Sequence, residues 1–149
     1  IMGLDGENKM SKSLQNHIGL LETPQEIWRK LAPARTDLRR KRKTDPGVPD
    51  DCNLYTSYHR YFSSPKDLEW VREGCTTAGI GCLECKKRLA DNMEAVLGPI
   101  RARAGELMAH PDDVRDILAR GARRARSIAE PVIDEVLQVM GLTRPPVSP

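Results

Sequence analysis

A chain of 149 residues, with 39% hydrophobic and 30% charged residues and a formal net charge of +3, has the size of one ordinary domain and can bury a core without disulfide staples. No run of about 18 apolar residues exists, and no charged segment followed by an apolar stretch opens the chain, so neither a membrane span nor a signal peptide is supported and a cytoplasmic location is expected. The cations are bunched, at Arg39-Arg40-Lys41-Arg42-Lys43, Lys86-Lys87-Arg88, Arg101 with Arg103, and Arg120, Arg123, Arg124 and Arg126. Such clusters suit a phosphate backbone, since each neutralised phosphate releases counterions, although a solvated helix face shows the same pattern.

Strand alternation is nearly absent and helix signals are plentiful. Thr23-Pro24-Gln25-Glu26 reads as an N-cap, a proline at the first helical position and a capping-box glutamate, opening a helix through Ile27, Trp28 and Leu31 that fades near Pro33. Turn chemistry from Thr44 to Asp51 leads past Cys52 into a short aromatic helix from Leu54 to Phe62. Ser64-Pro65-Lys66-Asp67 repeats the cap signature and opens a helix expected to end at Gly74 and the Thr76–Gly81 loop. A longer helix begins near Cys82, with a bend expected at Gly98-Pro99. Pro111-Asp112-Asp113 starts the last one, whose apolar stripe from Val114 to Met140 is expected to be core, with a kink at Pro131 and Gly141 as C-cap. Thr143 to Pro149 reads as a disordered proline-rich tail.

Two motifs carry chemistry. Gly3-Leu4-Asp5-Gly6-Glu7-Asn8-Lys9-Met10-Ser11-Lys12-Ser13 is a glycine-flanked loop with two lysines and two hydroxyls at close spacing. Such a loop can wrap a triphosphate, its ammonium groups offsetting the charge that builds on a departing pyrophosphate, though by composition alone a solvated polar turn is the simpler reading. The second motif is Cys52, Cys75, Cys82 and Cys85, spaced Cys-x22-Cys-x6-Cys-x2-Cys and accounting for every cysteine in the chain. Four thiols make one complete site. Zinc is one candidate, but its familiar form pairs two Cys-x-x-Cys knuckles and only one is present; a [4Fe-4S] cluster tolerates the asymmetric spacing. Two disulfides and four independent cysteines are the remaining readings. Asp50, Asp51 and His59 are near enough in sequence to the first thiol to support it from outside.

Lys9-Met10-Ser11-Lys12-Ser13 is similar to the lysine loop (KMSKS) of class I aminoacyl-tRNA synthetases, and the preceding Gly-Leu-Asp-Gly resembles its tryptophanyl branch. Gly74-Cys75-Thr76-Thr77-Ala78-Gly79-Ile80-Gly81-Cys82-Leu83-Glu84-Cys85, Thr44-Asp45-Pro46-Gly47 and the last helix resemble bacterial tryptophanyl-tRNA synthetases of the four-cysteine type. His17-Ile18-Gly19 does not match that class's other signature, because Leu20 replaces its second histidine.

The resemblance implies a mostly α chain: the lysine loop at the end of a missing Rossmann α/β domain over 1–20, a helical-bundle anticodon-binding domain with the metal site over 21–142, and the tail over 143–149. It implies that Lys9 and Lys12 are catalytic, with Met10, Ser11 and Ser13 also binding ATP (with Mg). Cys52, Cys75, Cys82 and Cys85 would hold a [4Fe-4S] cluster, or zinc as the alternative. Lys86, Lys87 and Arg88 would meet tRNA(Trp), tryptophan would bind in the missing domain, and the enzyme would be a homodimer. A piece without the Rossmann half is expected to be inactive alone. The alternatives are a tyrosyl relative and a stand-alone metal-containing tRNA-binding module.

Overall fold

Helices begin where the sequence supplies caps. In the computed structural model, which describes residues 1–143, Thr23 caps α1 (Pro24–Leu31): its hydroxyl accepts the Glu26 N–H at 3.3 Å while the Glu26 carboxylate accepts the Thr23 N–H at 2.8 Å. A 3-10 turn at Pro49–Asp51 leads into a π-helical turn, Tyr55–His59, which runs on as α2 (Arg60–Phe62). Ser64 caps α3 (Pro65–Thr76) by accepting the Asp67 N–H at 3.1 Å. This helix passes through Gly74 rather than ending there, because the chain reverses just beyond it, where Ile80 N–H donates back to the Gly74 carbonyl at 3.0 Å and the Ile80 side chain fills the space a Gly74 Cβ would need. The two long helices are α4 (Cys82–Ala109), with Pro99 inside it, and α5 (Pro111–Val139), with Pro131 inside it. Gly141 closes α5 at φ +64, where only glycine is unstrained, and the N–H groups of Gly141 and Leu142 return to the carbonyls of Gln138 and Leu137. Among the described residues the only extended pairing is one isolated bridge, Met2 with Lys9. Of the expected tail, residues 144–149 lie outside the described residues.

The chain divides into two compact units, Ile1–Ala104 and Gly105–Pro149. In the first, Ile27 and Leu31 of α1, Leu54 and Tyr58 of the π turn, and Leu89, Met93 and Leu97 of α4 form one core with Leu4 and Ala34. Leu4 brings the N-terminal loop into that core. The Tyr58 hydroxyl donates to the Met2 carbonyl at 2.8 Å and Asn53 Nδ2 to the Gly3 carbonyl at 2.7 Å, so the loop's backbone is pinned to the helices from two sides.

The second unit corrects the sequence reading of α5. Its apolar stripe is not core: Ile117, Leu118, Ile128, Val132, Ile133 and Val136 are all exposed, Leu118 at 66%. A period of 3.6 residues identifies which face of a helix is meant to be covered, and no described residue of this unit covers it. No helix among the described residues is long and apolar enough to cross a membrane.

Leu31→Ala, which empties a fully buried position, should cost about 2–5 kcal/mol in urea unfolding, whereas Ile128→Ala on the exposed stripe should stay within about 0.5 kcal/mol. Burial also raises the Tyr58 phenol from 10.0 to about 12. Its contribution to stability is therefore complete below the unfolded phenol value and is lost as pH climbs from about 10 toward 12, which a phenolate titration of folded protein against Tyr58→Phe will read.

Candidate functional site

The lysine loop is organised around one buried side chain that the sequence did not single out. Asn16 Oδ1 accepts the Ser11 N–H at 2.7 Å, and its Nδ2 donates to Asp5 Oδ2 at 2.8 Å and to the Lys9 carbonyl at 3.3 Å. Asp5 in turn accepts the N–H groups of Glu7 and Asn8, at 3.0 and 3.1 Å. The Glu7 N–H, then Asn16 and Asn8, hold the Asp5 carboxyl well below the usual carboxylate range. The bridge between Met2 and Lys9 closes the base of the loop. With the backbone satisfied from within, Lys9 and Lys12 project outward, exposed and with no hydrogen bond or ion pair from either side chain among the described residues. Ser11 and Ser13 sit with their hydroxyl oxygens 2.8 Å apart, and Met10 packs against the core. The loop thus exposes two ammonium groups, at Lys9 and Lys12, and a pair of hydroxyls hydrogen-bonded to each other.

Gly3 is required by this packing, because a Cβ there would overlap the Asn16 carboxamide. Asn16 carries no local signal in sequence, since one asparagine after a serine pair reads as an ordinary turn residue.

All four cysteines line a common cavity, together with Arg40 and Lys86. Cys75 lies in the last turn of α3, Cys82 starts α4, Cys85 follows one turn later, and Cys52 comes from the turn before the π helix. All are free thiols. Among the described residues no group of three or more His, Cys, Asp or Glu is placed to hold a metal ion as it stands. Burial pushes the thiols of Cys52 and Cys75 up and that of Cys85 to about 12, so forming thiolates here calls for a cationic group in the cavity. The cavity is also tightly bounded at Gly47, where a Cβ would stand 2.5 Å from Cys75 Sγ.

Cations and one imidazole surround the thiols. Arg40 Nη1 is 3.8 Å from Cys75 Sγ. His59, fully buried, lies with Nε2 3.2 Å from Cys85 Sγ and Nδ1 2.7 Å from the Ser63 hydroxyl; burial lowers its pKa to about 4 and keeps it neutral. Asp50 and Asp51 do not join it, being engaged by Arg72 and Arg39 respectively.

The basic trio on α4 is split. Lys86 points inward, 6% exposed, and donates to the carbonyls of Ala32 and Ala34 at 2.6 and 2.8 Å; burial lowers its pKa. It therefore offers no charge to a nucleic acid in this structure, a correction to the sequence reading. Arg88 is exposed but pairs with Asp67 at 3.1 Å and stands over Trp70, while Lys87 is exposed.

A family model described as tRNA synthetases class I (W and Y) matches residues 1–98, the segment containing both the loop and all four thiols. The chain belongs to this family. Within it, the tryptophan–tRNA ligase of Deinococcus radiodurans is 52% identical over 97% of the chain and 43% of its own length, and that of Thermotoga maritima is 40% identical over 94% and 42%. A crystal structure of the Campylobacter jejuni tryptophanyl-tRNA synthetase, complexed with ADP and tryptophan, superposes with a TM-score of 0.82 at 26% identity, covering 94% of this chain and 43% of that one. The chain thus spans less than half the length of these relatives.

Gly3→Ala should break the Asn16 tie and cost about 1–3 kcal/mol, read as faster hydrogen exchange at the Ser11 amide; unchanged protection there would show that Asn16 does not hold the loop.

Proposed function

We propose that this chain is the pyrophosphate-handling and tRNA-binding portion of a tryptophan–tRNA ligase, an enzyme that activates tryptophan with ATP and transfers it to tRNA(Trp). The observation that carries the reading is the lysine loop, whose backbone is satisfied internally while Lys9 and Lys12 are left free to meet an anion. In it Lys9 and Lys12 neutralise charge on the β- and γ-phosphates of Mg-bound ATP as the bond to the α-phosphate breaks, and Met10, Ser11 and Ser13 shape the loop around them. Residues 1–20 then complete a catalytic domain and residues 21–142 form the anticodon-binding domain, where Lys87 and Arg88 are the members of the trio available to tRNA. The names carried by the relatives favour tryptophan over tyrosine within a family that includes both. A homodimer is carried over from the family resemblance alone.

The same reading assigns the cysteine cavity to a [4Fe-4S] cluster held by Cys52, Cys75, Cys82 and Cys85, with zinc as the alternative. The donor set fits: four thiols face one space, none is consumed in a disulfide, and Arg40 and Lys86 offset an anionic group there. The asymmetric spacing of Cys52, Cys75, Cys82 and Cys85, with one Cys-x-x-Cys pair, favours a multi-iron cluster over zinc, whose familiar sites pair two such knuckles. Such a group would supply a rigid crosslink between α3, α4 and the Cys52 turn.

In the full reading frame that encodes this chain, Lys12→Ala should slow tryptophan-dependent ATP–pyrophosphate exchange on the order of 10²- to 10³-fold, and exchange driven by tyrosine instead would overturn the tryptophan assignment. After anaerobic purification we expect about four irons and four sulfides per chain with broad visible absorption, lost in Cys85→Ser. One zinc would reassign the cavity, and no metal would remove the assignment.

A further inference from the structure

Five consecutive cations, Arg39 to Lys43, form the densest charge run in the chain, and the fold divides them by role. Arg39 is spent on Asp37 and Asp51. Arg40 is turned inward, its Nη2 donating to the carbonyls of Lys43, at 2.9 Å, and Ile80. The side chains of Lys41, Arg42 and Lys43 are exposed and make no hydrogen bond or ion pair among the described residues. Their backbone is nevertheless fixed: Asp45 Oδ2 accepts the N–H groups of Lys41 and Arg42 at 3.2 and 2.7 Å, and the Asp45 N–H returns to the Arg42 carbonyl at 3.1 Å. Three adjacent unpaired charges held on a fixed turn repel one another, an arrangement that an external polyanion relieves.

These residues line one wall of an open groove whose other wall is Gly81 and the first residues of α4, Cys82 to Glu84. The Lys43 stem runs beside Gly81, 3.8 Å from where a Cβ would stand, an ordinary packing distance. The one carboxylate of the groove, Glu84, faces the Gly81 N–H at 3.5 Å. The groove contains no aromatic ring on which a base could stack, so it suits a sugar-phosphate backbone and reads no sequence.

We propose that this groove seats the phosphate backbone of RNA through Lys41, Arg42 and Lys43, with Asp45 and Arg40 as positioning residues. The proposal rests on the tRNA ligase reading for the identity of the polyanion, and it moves the main electrostatic contact from α4 to this loop.

The test is the salt dependence of RNA affinity for the full chain, measured by fluorescence anisotropy with tRNA(Trp) and with an unrelated tRNA. K41A/R42A/K43A should weaken both on the order of tenfold at low salt and flatten the slope of log affinity against log salt by about 2 to 3, since each contact contributes about 0.7 to 0.9. The glutamine triple K41Q/R42Q/K43Q keeps the side-chain stems and should behave alike, which separates lost charge from lost folding, itself checked by circular dichroism. An unchanged slope, a loss confined to tRNA(Trp), or preferential binding of polyglutamate over RNA would each overturn the proposal. Tryptophan-dependent pyrophosphate exchange by the unaltered full reading frame needs no RNA, so its absence would count against the ligase reading and its presence beside an unchanged slope against the groove alone.

Discussion

A lysine ammonium taken out of water keeps its charge only where carbonyl or carboxylate oxygens replace the lost hydration. Lys86 finds two such oxygens, those of Ala32 and Ala34, just past the end of α1. Three features meet at that contact. It lies one residue beyond Cys85 and one turn beyond Cys82, so it sets the depth at which the first turn of α4 enters the thiol cavity. The carbonyls it holds belong to the segment that runs on into Arg39–Lys43, so it also fixes where the basic loop leaves the core. Leu89 and Met93, one and two turns further along the same helix, then enter the core that also holds Leu31 and Ile27. Removing the ammonium would strand two carbonyls in a buried place and loosen the thiol cavity and the groove together.

A second rule runs through the loops that carry chemistry. Each exposes cations outward because a short polar side chain satisfies its backbone from inside. Asn16 does this under Lys9 and Lys12, Asp45 under Lys41 and Arg42, and Asp37 for Arg39 and Val48. Burial works against the Asp37 carboxylate, yet the N–H groups of Val48 and Arg39 outweigh it and keep its pKa below the ordinary value. Backbone donors held this way do not compete for a ligand's oxygens, and the lysines lose little conformational freedom of the main chain when an anion arrives.

This division explains which parts of the chain were legible in sequence. Helix starts were, because Thr23-Pro24 and Ser64-Pro65 act within one turn and depend on nothing distant. The gathering of the four cysteines into one cavity was legible too, since the Cys75–Cys85 segment is a reversal too short to separate its thiols widely. The inward turn of Lys86 was not: Lys86, Lys87 and Arg88 are chemically alike in a row, and only the helix phase, which sets Lys86 three residues before Leu89 on the buried face, distinguishes them. That phase could have been applied, because Leu89, Met93 and Leu97 already marked the inner stripe. Asn16 lay beyond reach, as its value comes from Asp5, Lys9 and Ser11 closing around it. The α5 stripe shows the opposite failure. Its period was read correctly, but periodicity names a face and not its cover, so burial did not follow within the unit that contains it.

Arg40 joins the two features that the sequence presented separately. One edge of its guanidinium faces Cys75 Sγ and the other holds the carbonyls of Lys43 and Ile80, while its Nε is buried without a partner. Charge in the thiol cavity and the shape of the basic loop therefore act on the same planar group. The Cys75 thiol is a weak acceptor for Arg40, whereas a thiolate there would be a strong one. Arg40 also closes the loop through the Lys43 carbonyl, so the same residue lines the thiol cavity and the basic groove. A cysteine cavity and a cation cluster that look independent along the chain thus share a single arginine.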